Sequence, residues 1–384
     1  MTSAQPDSPL SLSVVVCTYN GAAYLGQQLD SLLAQTLQPT EIIIHDDDSS
    51  DNTLTIAAQY AERAASSNDG QNYRRTKENY PADSFNKSAD SKTHPAGSSP
   101  LRGSGERVSY GPSPSKGSGE RGSAPTIRVV RNTGEHGVNG NFFAALRTAQ
   151  GSLIAICDQD DIWEPAKLEK QVACIRRTGA LLCGCVSRPF SADGSPVSAD
   201  LRPANLAPLR MMYVGVMPGH TLLLRRELLD CVPNGRFFMY DLQLQMSAAL
   251  RQSLCLVPEV LVHQRRHTAA ATYMRPQSRW QILTQGLRTF SRLRPEVRRR
   301  FAQWETFLAH PALQQSPLRP AALQMARLQQ GRGLWNYLRL TLFCLRHRRE
   351  LMPSPQIKGL RAVCYALAFP FTCVNYYRYF LTRQ

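Results

Sequence analysis

Three times in this chain an apolar, strand-like run gives way to polar punctuation, and twice that punctuation is a cluster of aspartates. Leu12-Ser-Val-Val-Val-Cys-Thr18 passes into Tyr19-Asn20-Gly21. Glu41-Ile-Ile-Ile-His45 runs into Asp46-Asp47-Asp48-Ser49-Ser50-Asp51, and Ser152-Leu-Ile-Ala-Ile-Cys157 into Asp158-Gln159-Asp160-Asp161. Continuous β-branched runs of this kind read as strands buried on both faces, the signature of a parallel sheet. Between the first two, Leu25, Leu29, Leu32, Leu33 and Leu37 recur at helical spacing, and residues 52–63 predict the next helix. The order β-α-β-α points to a layered, nucleotide-binding α/β domain. In open sheets of that class ligands bind beyond the carboxyl ends of the strands, which is where both aspartate clusters stand.

The pattern stops after the second helix. Residues 65–126 are dominated by Ser, Gly, Pro, Asn and charge, with phrases such as Gly103-Ser-Gly-Glu and Gly117-Ser-Gly-Glu. Such a composition cannot bury enough apolar surface to order itself, so the segment is expected to be a disordered insertion. Thr126-Ile-Arg-Val-Val130 predicts a strand and residues 142–149 a helix, ended by Gly151. Beyond Pro165 a helix over 167–177 is expected, then strands near 180–186, 220–224 and 254–262. The last third reads as helices rich in Arg and Leu, with no strand alternation.

Net charge is +16, and its location matters more than its size. From Met274 onward stand 19 of the 45 Lys and Arg, against three of the 29 acids, so the first 273 residues are balanced. The basic charge therefore serves the C-terminal region, for which an anionic membrane surface and nucleic acid are the two obvious partners. Ten cysteines in 384 residues are too dilute for a disulfide scaffold and are expected to be buried, reduced thiols of a cytosolic protein. The opening MTSAQPDSPLSLS has neither a basic n-region nor a long apolar h-region, so no secretory signal is expected. Within the C-terminal region the longest uncharged run, Ala362–Tyr377, contains Pro370 and falls short of the about 20 residues that cross a bilayer. It suits a helix lying in the interface or one packed in a core.

The pair Asp158-x-Asp160 places two carboxylates on one short turn, where they can hold a hard divalent cation together with substrate phosphates. Taken alone, such a pair is more often an exposed acidic turn. In this order and spacing the chain resembles the family 2 glycosyltransferases with the GT-A fold. The matching residues are Ser13–Gly21, Glu41–Thr53, Asn141-Phe with Ala144-Leu and Ala149-x-Gly151, and Cys157-Asp-Gln-Asp-Asp-Ile-Trp-Glu-Pro165. Gly219-His-Thr, Tyr240-Asp241-Leu and Arg265-x-His267 follow further on. The Asp-Gln-Asp-Asp-x-Trp form is similar to that of bacterial rhamnosyltransferases and other surface-polysaccharide enzymes.

The resemblance covers roughly residues 11–270. It implies a GT-A nucleotide-diphosphosugar transferase fold, a Rossmann-like mixed sheet flanked by helices, interrupted by 65–126 and followed by a helical, basic C-terminal region at 271–384. It implies that Thr18 and Tyr19 line the base, that Asp47 accepts from a pyrimidine N–H, and that Asp158 and Asp160 bind ribose and a Mg²⁺ or Mn²⁺ ion. Asp241 occupies the position of the general base in an inverting transfer. Each assignment has a plainer rival: Asp241 as a helix cap, His220 as a satisfied core histidine, Arg265 and His267 as braces of a turn rather than contacts of the diphosphate, and Trp163 as packing. The chain also departs from the family pattern. Asp48 stands where Gly is usual, and Tyr240 replaces the acidic residue or His often found before the base.

The resemblance thus implies an enzyme, moving a sugar from a UDP- or dTDP-linked donor to a cell-surface glycan or lipid-linked saccharide. Its expected place is the cytoplasm, peripheral to the inner face of the cell membrane through the C-terminus. A catalytically inactive scaffold of the same fold is the alternative. A basic nucleic-acid binder is a weaker one, because no nucleic-acid module is recognisable and none is expected as a partner.

Overall fold

The structure, a computed structural model, describes residues 11–66, 124–191, 204–233, 237–266 and 279–381, with positions 197, 199 and 201 between them. Its centre is one eight-stranded sheet. In chain order the first elements are β1 (Leu12–Thr18), α1 (Leu25–Leu33), β2 (Glu41–Asp46), α2 (Thr53–Ser66), β3 (Thr126–Arg131), α3 (Val138–Thr148) and β4 (Leu153–Asp158). Then come β5 (Ile162–Trp163), α4 (Lys167–Thr178), β6 (Leu182–Ser191), α5 (Pro208–Met211), β7 (Leu223–Arg225), α6 (Tyr240–Leu250) and β8 (Leu254–Arg266).

Strand order is β3-β2-β1-β4-β7-β6-β8-β5. The first four are mutually parallel, β7 runs antiparallel to both its neighbours, β6 and β8 are parallel, and β5 closes the edge antiparallel to β8. All seven residues of β1 are buried, as expected of a central strand covered on both sides. Successive side chains go to opposite layers. Val14, Val16, Ile42 and Ile44 pack with Leu25, Leu29 and Leu32 of α1 and with α2 and α4. Val15, Ile43, Ile154 and Ile156 pack with Phe142 and Leu146 of α3 and with Leu244 and Ala248 of α6.

The observed elements adjust the expected bounds. Helix α1 stops at Leu33 instead of continuing to Leu37, and β6 and β8 run on to Ser191 and Arg266. The stretch 220–224 is a 3₁₀ turn, Gly219–Thr221, before the short β7. Helix α2 runs to Ser66, within the stretch expected to lack structure, and residues 67–123 lie outside the described residues, as does His267.

The C-terminal region is helical: α7 (Arg279–Ala309), α8 (Arg319–Gln330), α9 (Leu334–Arg346), α10 (Arg348–Leu351) and α11 (Leu360–Thr372), with a closing 3₁₀ segment, Cys373–Leu381. It shares a core with α5 and α6, where Phe301, Trp304 and Phe307 of α7 meet Phe238, Met246 and Leu250. Phe238 and Trp304 stack with ring centroids 3.7 Å apart, and the Trp304 indole donates to the Met212 carbonyl at 2.9 Å. Of the arginine run 298–300, Arg299 and Arg300 pair with Glu296 on the same helix. No described helix is long and apolar enough to cross a membrane. The ten cysteines carry free thiols, seven of them buried, but Cys364 is exposed, contrary to the expectation that all are interior.

Candidate functional site

The carboxyl ends of β1, β2 and β4 lie side by side, Cys17 opposite both His45 and Asp158, so the loops that follow them meet. The Thr18 hydroxyl donates to Asp46 Oδ1 at 2.7 Å, tying β1 to β2. Tyr19 projects its ring into solvent, 59% exposed, while its backbone is held. Its N–H donates to Gln159 Oε1 at 2.9 Å, and Gln159 Nε2 donates back to its carbonyl at 3.0 Å. Gly21 is needed beneath this clip, because a Cβ there would stand 2.1 Å from Gln159 Oε1.

The first aspartate cluster divides its labour. Asp46 accepts from Thr18 and from the Ser49 amide and hydroxyl, which builds the turn. Asp48 takes φ of +67°, a left-handed conformation that explains why glycine suits this position. Asp47 turns the other way. Its Oδ1 accepts from Asn132 Nδ2 at 2.7 Å and lies 2.9 Å from His136 Nδ1, and its Oδ2 accepts the Gly137 amide at 2.6 Å. Burial would push this carboxyl up, but those three partners hold it below the usual carboxylate range.

At the end of β4 the structure gathers Asp158, Asp161 and His220, whose potential ligand atoms all lie within 4.8 Å of one another. His220 Nδ1 is 3.1 Å from Asp158 Oδ2 and 3.2 Å from Asp161 Oδ2, and its Nε2 is 3.0 Å from the Ser187 hydroxyl. Asp161 Oδ2 is buried and accepts no well-formed hydrogen bond, although the His220 imidazole stands beside it. Burial pushes the Asp161 carboxyl up against the pull of His220, with Asp158 and Asp160 adding to the rise. Burial opposes a charge on His220, yet Asp161 and Asp158 push that imidazole up. A buried carboxylate oxygen beside a second carboxylate and an imidazole nitrogen fits a hard divalent cation. A second group, Cys174, Cys183 and Cys255, lies at the opposite end of the sheet and offers only sulfur.

Asp160, the expected second ligand, is not in that group, and its backbone carbonyl accepts from Arg265 Nε at 3.1 Å. Arg265 is buried and braces the turn. Its amide donates to Asp161 Oδ1 at 3.1 Å, one Nη donates to Gln27 at 2.6 Å, and its guanidinium lies 4.7 Å from the ring centroids of Tyr24 and Phe190. Trp163 is buried against Lys167 at the start of α4.

Asp241 enters from the other half of the sheet, in the first turn of α6, where Oδ1 accepts the Leu242 amide at 2.8 Å. Burial pushes its carboxyl up to about 6, the Leu242 amide pulls it down, and Asp158 pushes it up again. Tyr240 sets the start of that helix. Its ring stacks on Phe142 at 4.1 Å and approaches Gly219 so closely that a Cβ there would be 2.0 Å from its hydroxyl. The tyrosine that departs from the family pattern is thus a wedge between α3 and the His220 turn.

The sequence pattern alone missed Asp161 and His220 as partners of Asp158. Asp161 was signalled by its place in the same acidic turn. His220 carried no local signal, since it reaches the site only through the antiparallel return of β7.

A family model described as glycosyl transferase family 2 matches residues 13–91 and 120–233, about half of the chain. The chain belongs to glycosyl transferase family 2. An uncharacterized glycosyltransferase of Rickettsia typhi is 46% identical over 56 residues, 15% of this chain and 17% of that protein. An uncharacterized protein of Mycobacterium tuberculosis is 24% identical over 264 residues, 67% of this chain and 59% of the relative. The match thus spans less than a fifth of the rickettsial relative's length and under two thirds of the mycobacterial one's. Among solved structures, S. aureus TarS 1–349 in complex with UDP-GlcNAc has a TM-score of 0.45 at 14% identity, covering 97% of this chain and 92% of that one. A mannosyltransferase from Pyrobaculum calidifontis in complex with GDP-Man and Mn²⁺ has a TM-score of 0.44 at 15% identity, covering 100% and 90%.

Proposed function

We propose that this family 2 chain is an inverting glycosyltransferase. It would move a sugar from a UDP- or dTDP-linked donor to a hydroxyl of a cell-surface glycan or lipid-linked saccharide. The observation that carries the reading is the meeting of Asp158, Asp161 and His220 with a half-buried, weakly acidic Asp241, brought from opposite halves of the sheet. Groups that hold a cation and a group that accepts a proton are the two requirements of such a transfer.

In this reading Tyr19 offers its exposed ring face to the base, and Thr18 fixes the strand end beneath it. Asp47, already ionised and aimed by Asn132, His136 and Gly137, takes the N–H of a pyrimidine through its remaining acceptor capacity. Asp158, with Asp160 or Asp161 and His220, would hold Mg²⁺ or Mn²⁺, which when bound offsets the charge on the departing nucleoside diphosphate. Asp241 removes the proton from the acceptor hydroxyl as that oxygen bonds to the anomeric carbon and the carbon–phosphate oxygen bond breaks. One displacement inverts the centre, and no residue is modified. Arg265 holds the acidic turn in register, and Arg265 with His267 is assigned to the diphosphate side. The basic C-terminal region would rest on an anionic membrane surface, beside a lipid-linked acceptor.

Calorimetric titration of UDP, dTDP and GDP with Mn²⁺ tests the donor site, using the wild type, Asp158→Ala and Asp160→Ala. Metal-dependent binding of one pyrimidine nucleotide, lost in Asp158→Ala, is expected. A folded wild type that binds none of the three would overturn the reading and favour an inactive scaffold.

A further inference from the structure

Eleven large hydrophobic side chains stand exposed among the described residues, and seven of them lie on just two helices. On α9 these are Leu334, Trp335, Leu338 and Leu342, which share one face at spacings of one, four and eight residues. The opposite face of α9 buries Leu340, Phe343 and Cys344 in the C-terminal core. On α11 the outward stripe is Leu360, Cys364, Leu367 and Phe371, at four, seven and eleven residues, with Ala362, Ala366 and Phe369 turned inward. Trp335 and Leu360 are 80% and 76% exposed, values that no packing role explains.

The two helices adjoin and run in opposite directions. Tyr337 near the start of α9 meets Phe371 near the end of α11, with ring centroids 6.2 Å apart and planes 5° from parallel. Around the stripes stand the exposed cations Arg332, Arg339, Arg346, Arg349, Lys358 and Arg361. The one acid between residues 331 and 381 is Glu350, whose carboxylate is engaged by His347 at 2.7 Å. Exposed apolar side chains grouped on two adjoining helices point to an interaction site. A tryptophan with leucines on one face and arginines at the margins is the composition of helices that lie in a lipid interface.

We propose that the outward face of α9 and α11 is a membrane-surface docking site, its Trp and Leu side chains entering the acyl boundary and its cations meeting anionic headgroups. This deepens the reading of the C-terminal region given above and rests on it, but is independent of the transfer chemistry. Charge selects the occupant. A second copy of the chain placed symmetrically on this face would set arginine against arginine. An anionic bilayer supplies both the negative surface and the apolar depth. Neither helix can span it, so the contact is peripheral.

Flotation of the full chain with phosphatidylcholine vesicles, with and without phosphatidylglycerol, tests the proposal. Binding is expected only with the anionic lipid. It should weaken with salt and be accompanied by a blue shift of tryptophan emission that disappears in Trp335→Phe. Trp335→Ser with Leu342→Ser, and separately Arg339→Glu with Arg346→Glu, should each reduce the bound fraction about tenfold or more. Both variants should keep wild-type nucleotide binding, which shows that they are folded. Wild-type binding in both variants, or none by the wild type to anionic vesicles at low salt, overturns the proposal. So does a concentration-dependent dimer abolished by Trp335→Ser without vesicle binding, which assigns the face to a second copy. Loss of the transfer reading with vesicle binding intact leaves the proposal standing, so the two fail separately.

Discussion

Asp241→Asn separates a proton acceptor from a residue that merely starts a helix. In the first turn of α6, Asp241 Oδ1 accepts the Leu242 amide, and an asparagine carbonyl can take that bond equally well. If starting the helix were its whole role, the substitution would be silent. An amide cannot take a proton, so loss of the base should lower kcat by about 10²–10⁴, with nucleotide binding unchanged. With the wild-type carboxyl pushed up to about 6, its ionised fraction falls about tenfold from pH 7 to pH 5. The wild-type rate should follow that fall, and the residual rate of the variant should not. Stability supplies a second sign. The folded value lies about two units above the ordinary 3.8, so the folded protein binds this proton more tightly than the unfolded chain. Stability from this group is therefore fully present below about pH 4 and lost as pH rises through about 6, a penalty of roughly 3 kcal/mol at neutral pH. Asparagine has no charge to desolvate, so the variant should be the more stable protein by up to about 3 kcal/mol at pH 7, with no advantage at pH 4. Urea unfolding of the metal-free protein at both pH values measures this. A variant within about threefold of wild-type rate, or less stable at pH 7, would refute the assignment.

Two further substitutions test how the sheet is held. Lys167 is wholly buried, its Nζ lies 3.5 Å from the Trp163 ring centroid without a hydrogen-bond partner, and burial lowers its pKa against the pull of Cys185, Cys157 and Cys183. Lys167→Met keeps the stem and should stabilise the fold by about 1–3 kcal/mol at pH 7, the gain shrinking towards pH 10 as the unfolded lysine also loses its proton; a destabilised variant in urea melts would contradict this. Glu41 Oε1 accepts from the Ser13 hydroxyl and the Gln150 amide, each at 2.6 Å, and Oε2 from Arg128 at 2.9 Å. Burial would raise its pKa, but these partners hold it low, so its stabilisation is present above about pH 4 and lost as pH falls through the depressed value. Glu41→Gln turns a donor towards donors and should cost about 2–3 kcal/mol at pH 7, seen as a lower denaturation midpoint, and less as pH falls below about 4.

The parallel half of the fold was readable because its strands are buried on both faces. Val14 to Val16, Ile42 to Ile44 and Ile154 to Ile156 need no partner to declare themselves. The antiparallel half was less so. Residues 220–224 are apolar enough for a strand, but Gly219, pressed against Tyr240, turns the first of them into a 3₁₀ turn and leaves β7 three residues long. That same turn delivers His220 to Asp158 from 62 positions away, a contact made by sheet pairing that no local spacing announces. Asp47 shows the opposite case. Its acidic turn was visible, while the partners that hold its carboxylate ionised, Asn132, His136 and Gly137, come from beyond the long insertion. The paired exposure of α9 and α11 was only half visible. The sequence showed the charge and one uncharged run, and the fold shows which side faces out.

The amide clip between Gln159 and Tyr19 has a consequence for how this loop can change over time. One side chain occupies both the N–H and the C=O of Tyr19, as a neighbouring strand would. A glycine-rich phosphate loop reads its ligand with main-chain amides, which every residue type provides alike. Here the N–H of Tyr19 is already spent, so a donor or a stacking face that this residue offers a ligand must come from its side chain. Preference at this point is therefore encoded in side-chain identity, and a single codon change can redirect it without rebuilding the loop.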